Sequence, residues 1–221
     1  RLDRDSDAMN GPHRHIVLEV VSAHRGRALA IVMIEAEVVA VRTISIVTLV
    51  IAVDNVAALA SYTRAFKSRP GVGNLVIALL TGSTFLFGGA AVGQPLAPGL
   101  LVMAALAGAT TLGRELVKDV EDVAGDREEG LRTLPIVAGE RPALVLATVV
   151  VGMSVLASGF PVVLGTFGLA YLAVVLPADA VMLHGAVRSF SDPGTGQRRL
   201  KAGMFLAAAA FVVGRTATVV T

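Results

Sequence analysis

The feature that most constrains this chain is a series of apolar stretches, each near the roughly 20 residues a helix needs to cross about 30 Å of hydrocarbon. Seven are expected, near 26–42, 43–61, 72–92, 97–117, 142–159, 161–182 and 202–220. No solvated backbone survives inside a bilayer, so such segments must satisfy their own peptide groups, and helices do so locally. The predicted fold class is therefore all-α: a polytopic transmembrane helical bundle of about seven spans, forming a single domain over residues 1–221. Composition agrees. Hydrophobic residues make up 54% of the 221 and charged residues only 16%, with a mean hydropathy of +0.73. A water-soluble globule would lack the polar residues to cover its surface, and a disordered chain needs the opposite balance.

The segments between the spans alternate. Residues 1–25, 62–71, 118–141 and 183–201 are long and charged, while those near 42–43, 93–96 and 158–161 are short. Nearly all of the 19 Lys and Arg residues lie in or beside the long segments, with Arg42 and Arg215 as exceptions. Positive residues mark the cytoplasmic side, so the long segments, and any chemistry they carry, are expected there on a multi-pass protein of the cell membrane. The chain has no cysteine, which excludes a disulfide framework, a thiolate metal site and a cysteine nucleophile. A net charge of +2 without a basic arm interleaved with aromatics argues against nucleic-acid binding. No obligate protein partner is evident. Residue 1 is Arg rather than Met, and a chain lacking its natural N-terminus is expected.

Two acidic clusters fall on the same expected side. The second places Asp119, Asp122 and Asp126 at i, i+3 and i+7, one face if the preceding helix continues, with Lys118 one turn before Asp122. The first places Asp3 and Asp7 at i, i+4, and Asn10 a turn further. Two carboxylates about 4 Å apart repel by roughly 4 kcal/mol at an effective dielectric near 20, so facing clusters require cations. Oxygen donors without Cys or paired His select a hard ion, Mg²⁺, Mn²⁺ or Ca²⁺. Mg²⁺ takes one or two protein carboxylates and leaves positions for substrate phosphates. Arg14, Arg64, Lys67, Arg114, Lys118 and Arg132 supply phosphate-binding cations on that side. Carboxylates, a metal and basic groups at the mouth of an apolar bundle suit a lipid bearing phosphate or diphosphate. Asp5, Glu121, Glu128 and Glu129 fall off the shared faces and read as solvated loop charges.

The segment KDVEDVAGDREEGLRTLP (118–135) resembles the second aspartate motif of the UbiA family of membrane prenyltransferases, within it most closely the archaeal ether-lipid branch. Asp3 and Asp7 match the later aspartates of the family's first motif, and Asn10, Pro12, Arg14 and Ile16 match the motif's continuation. SYTRAFKSRPGVGN, holding Tyr62 and Lys67, resembles a third polar loop that contacts diphosphate; TGSTFLFGG and RRLKAGMFLA are also similar to family segments. The resemblance implies a nine-helix fold of which this chain holds the last seven, lacking the first two. It implies Mg²⁺-dependent transfer of an isoprenoid from a diphosphate donor to a lipid acceptor. Asp3, Asp7, Asp119, Asp122 and Asp126 would be the metal ligands. Asn10, Arg14, Tyr62, Arg64, Lys67, Arg114, Lys118 and Arg132 would bind diphosphate or phosphate, and Asp122, Asp126 and Lys67 would carry catalysis. In the archaeal branch the donor is geranylgeranyl diphosphate and the acceptor the free hydroxyl of geranylgeranylglyceryl phosphate, in ether-lipid (phospholipid) biosynthesis.

Alternatives are a family member acting on a quinone, haem, chlorophyll or carotenoid-type acceptor, or an inactive fragment. A CDP-alcohol phosphotransferase would carry a D-G-x-x-A-R element, which does not occur here. A transporter would use Asp54 or Glu35 as an ion site and needs paired broken helices. Asp54, Glu35 and Glu37 sit within expected spans, where ionisable residues are functional candidates; Asp54, two turns from Tyr62, is a candidate cavity residue.

Overall fold

The computed structural model describes residues 45–220, with residues 27, 28, 31, 32, 34 and 35 as helix before them; of Thr63, Arg64, Val219 and Val220 the backbone alone is described. Asp3, Asp7, Asn10, Arg14, Glu37 and most of the first expected span lie outside the described residues, and so does the side chain of Arg64. Every described element is helical: α1 Ile46–Ser61, a π-helical turn Tyr62–Phe66, α2 Val72–Ala91, α3 Pro98–Glu121, α4 Val123–Glu128, α5 Leu134–Ala138, α6 Glu140–Ala157, α7 Phe160–Val163, α8 Leu169–Arg188 and α9 Pro193–Val220.

Local chemistry sets the ends. Ser45 caps α1, its Oγ accepting from the Thr48 N–H at 3.1 Å. Pro98 and Pro193 open α3 and α9, where a missing N–H costs nothing. Asp192 caps α9, its Oδ1 accepting from the Thr195 N–H at 2.9 Å. Among the described residues, five helical segments are long and apolar enough to cross a membrane: 72–91, 98–121, 140–163, 169–188 and 193–218. α1 has 16 residues, or about 24 Å at 1.5 Å per residue, short of the hydrocarbon thickness.

Three expected boundaries are corrected. The span placed at 161–182 begins at Leu169, because Phe160–Val163 first forms its own turn and Gly165, at φ 67°, reverses the chain. The span placed at 202–220 begins at Pro193, so the polar residues 193–201 are helix rather than loop. The second span starts at Ile46, not 43.

Small residues let the helices approach. A Cβ on Gly203 of α9 would lie 3.0 Å from the Ala178 carbonyl oxygen of α8, and one on Gly185 2.9 Å from the Leu200 nitrogen. Gly108 on α3 meets the Ala78 carbonyl of α2 in the same way, at 3.0 Å. In lipid, where burying hydrocarbon gains nothing, such close contact is the main attraction between helices. Two apolar clusters result. One, around Leu116, Ala147, Val151, Met182 and Leu200, joins α3, α6, α8 and α9 near the polar end. The other joins Met103, Phe167, Tyr171, Val175 and Ala210 further along, with the Tyr171 and Phe211 rings stacked 5.9 Å apart. The outer face stays greasy: Leu156 is 84% exposed and Leu169 80%, which fits contact with lipid chains and not with water.

Candidate active site

The polar ends of α2, α3 and α9 meet at one end of the bundle, together with the π-turn and α4. α3 does not run straight through the aspartate segment. At Asp122 (φ −91°, ψ 3°) it ends and α4 begins one residue later, while the Asp126 N–H still donates to the Asp122 carbonyl at 3.0 Å. The single continuous face expected for Asp119, Asp122 and Asp126 is therefore bent at its middle member. α4 stops at Gly130, whose φ of 69° suits glycine at the position just past a helix. There the Leu131 N–H donates to the Asp126 carbonyl at 2.9 Å and the Gly130 N–H to the Arg127 carbonyl at 3.1 Å. The two bonds pin the backbone of Asp126 and Arg127.

Asp122 and Asp126 are 9% and 6% exposed, too buried for ordinary loop charges. Lys118 Nζ donates to Asp122 Oδ2 at 2.6 Å, one turn back as its i, i+4 spacing predicts. Asp119 is half-buried, and its Oδ2 accepts from Asn74 Nδ2 of α2 at 2.8 Å. Lys67, on the turn after the π-helix, lies 3.7 Å from Glu129. Burial raises the Asp126 carboxyl above its ordinary range. The Asp122 carboxylate adds to the rise, and Lys118 and Lys67 oppose it. The Tyr62 hydroxyl is also held above its usual value, by burial and then by Glu115 and Asp119, against Lys118 and Lys67. Those mutual effects place Tyr62, Lys67, Glu115, Lys118, Asp119, Asp122 and Asp126 in one neighbourhood, drawn from two separate stretches of chain.

Several expected roles change. Arg114 is not a free phosphate cation: it pairs with Glu115, and its Nη1 donates to Gln197 Oε1 of α9 at 3.3 Å. Lys118 is engaged by Asp122. Glu129 and Glu121, read as solvated, pair with Lys67 and accept from Gln197 Nε2 at 3.3 Å, respectively. Arg132 is exposed. Asp54 is exposed too, although it borders a second cavity of about 590 Å³ with Asn55, whose Oδ1 accepts from Ser83 Oγ at 2.8 Å. Glu35 is exposed on its helix. The sequence reasoning missed Asn74, Glu115, Gln197 and Asp179. Glu115 alone carried a signal, sitting one turn before Asp119 on the same face.

Among the described residues no three Asp, Glu or His side chains converge to hold a metal by themselves. The donor set still fits a hard ion. It is all oxygen, and Asp126 is a buried carboxylate pressed by a second one, hence short of positive charge. Mg²⁺, which uses one or two protein carboxylates beside substrate phosphates, is compatible with that supply.

A cavity of about 370 Å³ opens among α2, α3, α6, α8 and α9 below this rim. Arg114 and Lys201 border it, then Ser154, Ser158 and Asp179, and then aromatic rings including Phe85 and Phe211. Its size is that of a small-molecule or chain-binding pocket.

Residues 2–209 match the family described as the UbiA prenyltransferase family. The chain is similar to a digeranylgeranylglyceryl phosphate synthase of Natronomonas pharaonis, 51% identical over 218 residues covering 99% of this chain and 78% of that protein. It is similar to those of Halobacterium salinarum, 48% identical over 98% of this chain and 78% of the relative, and Haloquadratum walsbyi, 46% identical over 99% and 76%. A solved structure concerning digeranylgeranylglyceryl phosphate synthase in membranes superposes with a TM-score of 0.72 at 30% identity, covering 97% of this chain and 77% of that one.

Proposed function

Because this chain belongs to the UbiA prenyltransferase family, we propose that it transfers a geranylgeranyl group from geranylgeranyl diphosphate to the free hydroxyl of geranylgeranylglyceryl phosphate, completing the second ether of an archaeal-type lipid. The observation that carries the reading is the pair of buried carboxylates, Asp122 and Asp126, pressed together at the polar end of the helical bundle. Relatives about half identical over nearly the whole chain bear the matching name.

The chemistry is governed by charge. Breaking the bond between the allylic carbon and diphosphate leaves negative charge on the diphosphate and cationic character on the carbon. Groups aimed at charge that develops in the transition state lower its barrier most. Lys67 would take the diphosphate oxygens, with Arg64 and Arg132 from the same end of the chain's loops. Lys118 holds Asp122 in place by its 2.6 Å contact. Tyr62, kept protonated by burial and the acidic groups around it, offers a hydroxyl donor to an anionic group. Asp119, Asp122 and Asp126, with Asp3 and Asp7, would hold Mg²⁺, which when bound neutralises diphosphate charge. The acceptor hydroxyl oxygen bonds to the allylic carbon as the carbon–diphosphate bond breaks, and its proton passes to the released diphosphate, so no covalent enzyme intermediate is needed. The isoprenoid chains lie along apolar helix faces, each buried CH₂ contributing about 0.8 kcal/mol, and the dry pocket keeps water from the cationic carbon. The positive-residue bias supports a cell-membrane location with this end in the cytoplasm.

The test is a membrane assay with radiolabelled geranylgeranyl diphosphate offered to geranylgeranylglyceryl phosphate and to quinone and haem precursors, with and without EDTA. Label entering the glycerol lipid, abolished by EDTA and restored by Mg²⁺, is the expected result. Label entering only an aromatic or porphyrin acceptor overturns the assignment.

A further inference from the structure

The 370 Å³ cavity is layered in a way a prenyl diphosphate does not require. α9 runs down from the rim, where Gln197 contacts both Arg114 and Glu121 of α3. Lys201 lies one turn below Gln197, since helix neighbours recur every 3.6 residues. It is exposed on a membrane-crossing helix, yet borders the cavity beside Arg114. Gly203 then packs against Ala178 and Met182 of α8, which sets Asp179 about level with it. Ser158 Oγ donates to Asp179 Oδ2 at 2.7 Å, and the Tyr171 hydroxyl donates to the Ser158 carbonyl at 2.8 Å. Asp179 is only 5% exposed, and its other oxygen, Oδ1, has no hydrogen-bond partner among the described residues. Below this tier the lining is aromatic.

A diphosphate donor carries nothing but hydrocarbon beyond its phosphates. Its tail would leave the Asp179 oxygen unsatisfied, which a buried polar atom resists. A glycerol ether phosphate carries an anion, then hydroxyl and ether oxygens, then a chain, in the order cation tier, polar tier, aromatic tier. On α3 the two kinds of ligand also part. Leu106, Ala107, Thr110 and Arg114 share the stripe facing this cavity, while Glu115, Asp119 and Asp122 occupy a stripe about 130° round, at about 100° per residue. We propose that this cavity is the acceptor's own site: Lys201 receives the acceptor's phosphate, and the Ser158–Asp179 pair faces its glycerol oxygens, apart from the diphosphate at the aspartate turn. The inference rests on the proposed function for the acceptor's identity.

The experiment uses the intact protein in membranes and in detergent. Lys201→Ala is expected to raise the acceptor KM about ten- to a hundredfold, the range of a hydrogen bond to a charged group, with the donor KM unchanged. Lys201→Arg restores it. With the dephosphorylated glycerol ether as acceptor, wild type and Lys201→Ala behave alike. Acceptor-induced thermal stabilisation of purified protein is lost in Lys201→Ala. A raised donor KM, or an equal defect with both acceptors, overturns the proposal. If wild type transfers label to no glycerol lipid while acceptor binding still depends on Lys201, the proposed reaction falls and this site stands. If transfer proceeds and Lys201→Ala alters neither KM nor binding, the site falls and the reaction stands.

Discussion

Two of the turns at the polar end of the bundle treat their aspartates in opposite ways. At the α8–α9 turn, Asp192 accepts hydrogen bonds from Thr195, with Arg188 and Arg198 nearby, and these hold its carboxyl below the usual range. Ser189 is fully buried but donates to the Gly185 carbonyl at 2.8 Å, and Arg188 donates to Ser191 at 3.0 Å. Every charge there serves the fold. At the α3–α4 turn, Asp126 is buried against Asp122 and its carboxyl is pushed up. That arrangement opposes folding, because an acid whose folded-state pKa is raised is less stable when ionised. Repulsion that Lys118 and Lys67 offset only in part, next to a turn whose aspartate is fully satisfied, is the mark of a site kept for something other than stability.

The comparison can be broken most sharply by exchange of charge. Asp122→Asn and Asp126→Asn should each lower kcat/KM for prenyl transfer about a hundredfold or more, the scale of losing a group that stabilises transition-state charge. Asp192→Asn should change it little. Activity assays on the three variants decide it, and full turnover by Asp122→Asn and Asp126→Asn would remove the aspartate turn from the site. Next, Lys67→Ala should raise the donor KM about tenfold, as loss of one charged hydrogen bond does, and the acceptor KM much less. An unchanged donor affinity would take Lys67 out of diphosphate binding.

Two stability predictions sharpen the contrast. A Cβ on Gly196 would fall 2.8 Å from the Cα of Ser189, so Gly196→Ala should destabilise the α8–α9 hairpin by about 1–3 kcal/mol, as overpacking does, seen as a lower melting temperature in detergent. Asp126→Asn should raise the melting temperature of chelator-treated protein at neutral pH. The raised pKa means ionisation destabilises the folded state above that pKa, and the penalty is gone once pH falls below the ordinary 3.8, so the gain should vanish in acid. The smallest effect belongs to Asp192→Ala. Its lowered pKa means the wild-type carboxylate supports the fold above its ordinary pKa and loses that support as pH falls through the depressed value. The variant should therefore melt slightly earlier at neutral pH and lose less on acidification.

Much of the architecture was legible from hydropathy, because a bilayer leaves few ways to satisfy backbone groups. One misplaced boundary shows what hydropathy leaves out. Polar residues 193–201 continue a helix because Asp192 and Pro193 start it and Gly185, Gly196 and Gly203 let it lie close to α8, and hydropathy carries none of that information. Asp122 and Asp126 were legible from spacing, and the bend between them was not, since no proline or glycine stands at 122. Arg114 looked like a phosphate ligand because its charge is visible in sequence while its partners, Glu115 and Gln197, lie one residue away and 83 residues away. Asp179 escaped notice as a single acid in an apolar run; only the fold sets it beside Ser158, 21 residues earlier.

The glycine contacts between α8 and α9 have a consequence for how the protein tolerates change. A methyl group at Gly185 or Gly203 would act as a wedge against backbone atoms that cannot move aside. A saturation scan should therefore find these residues as intolerant as the aspartates, although they touch no substrate. The two intolerances would differ in kind: the wedge variants would fail to accumulate in the membrane, and the charge variants would accumulate and do nothing.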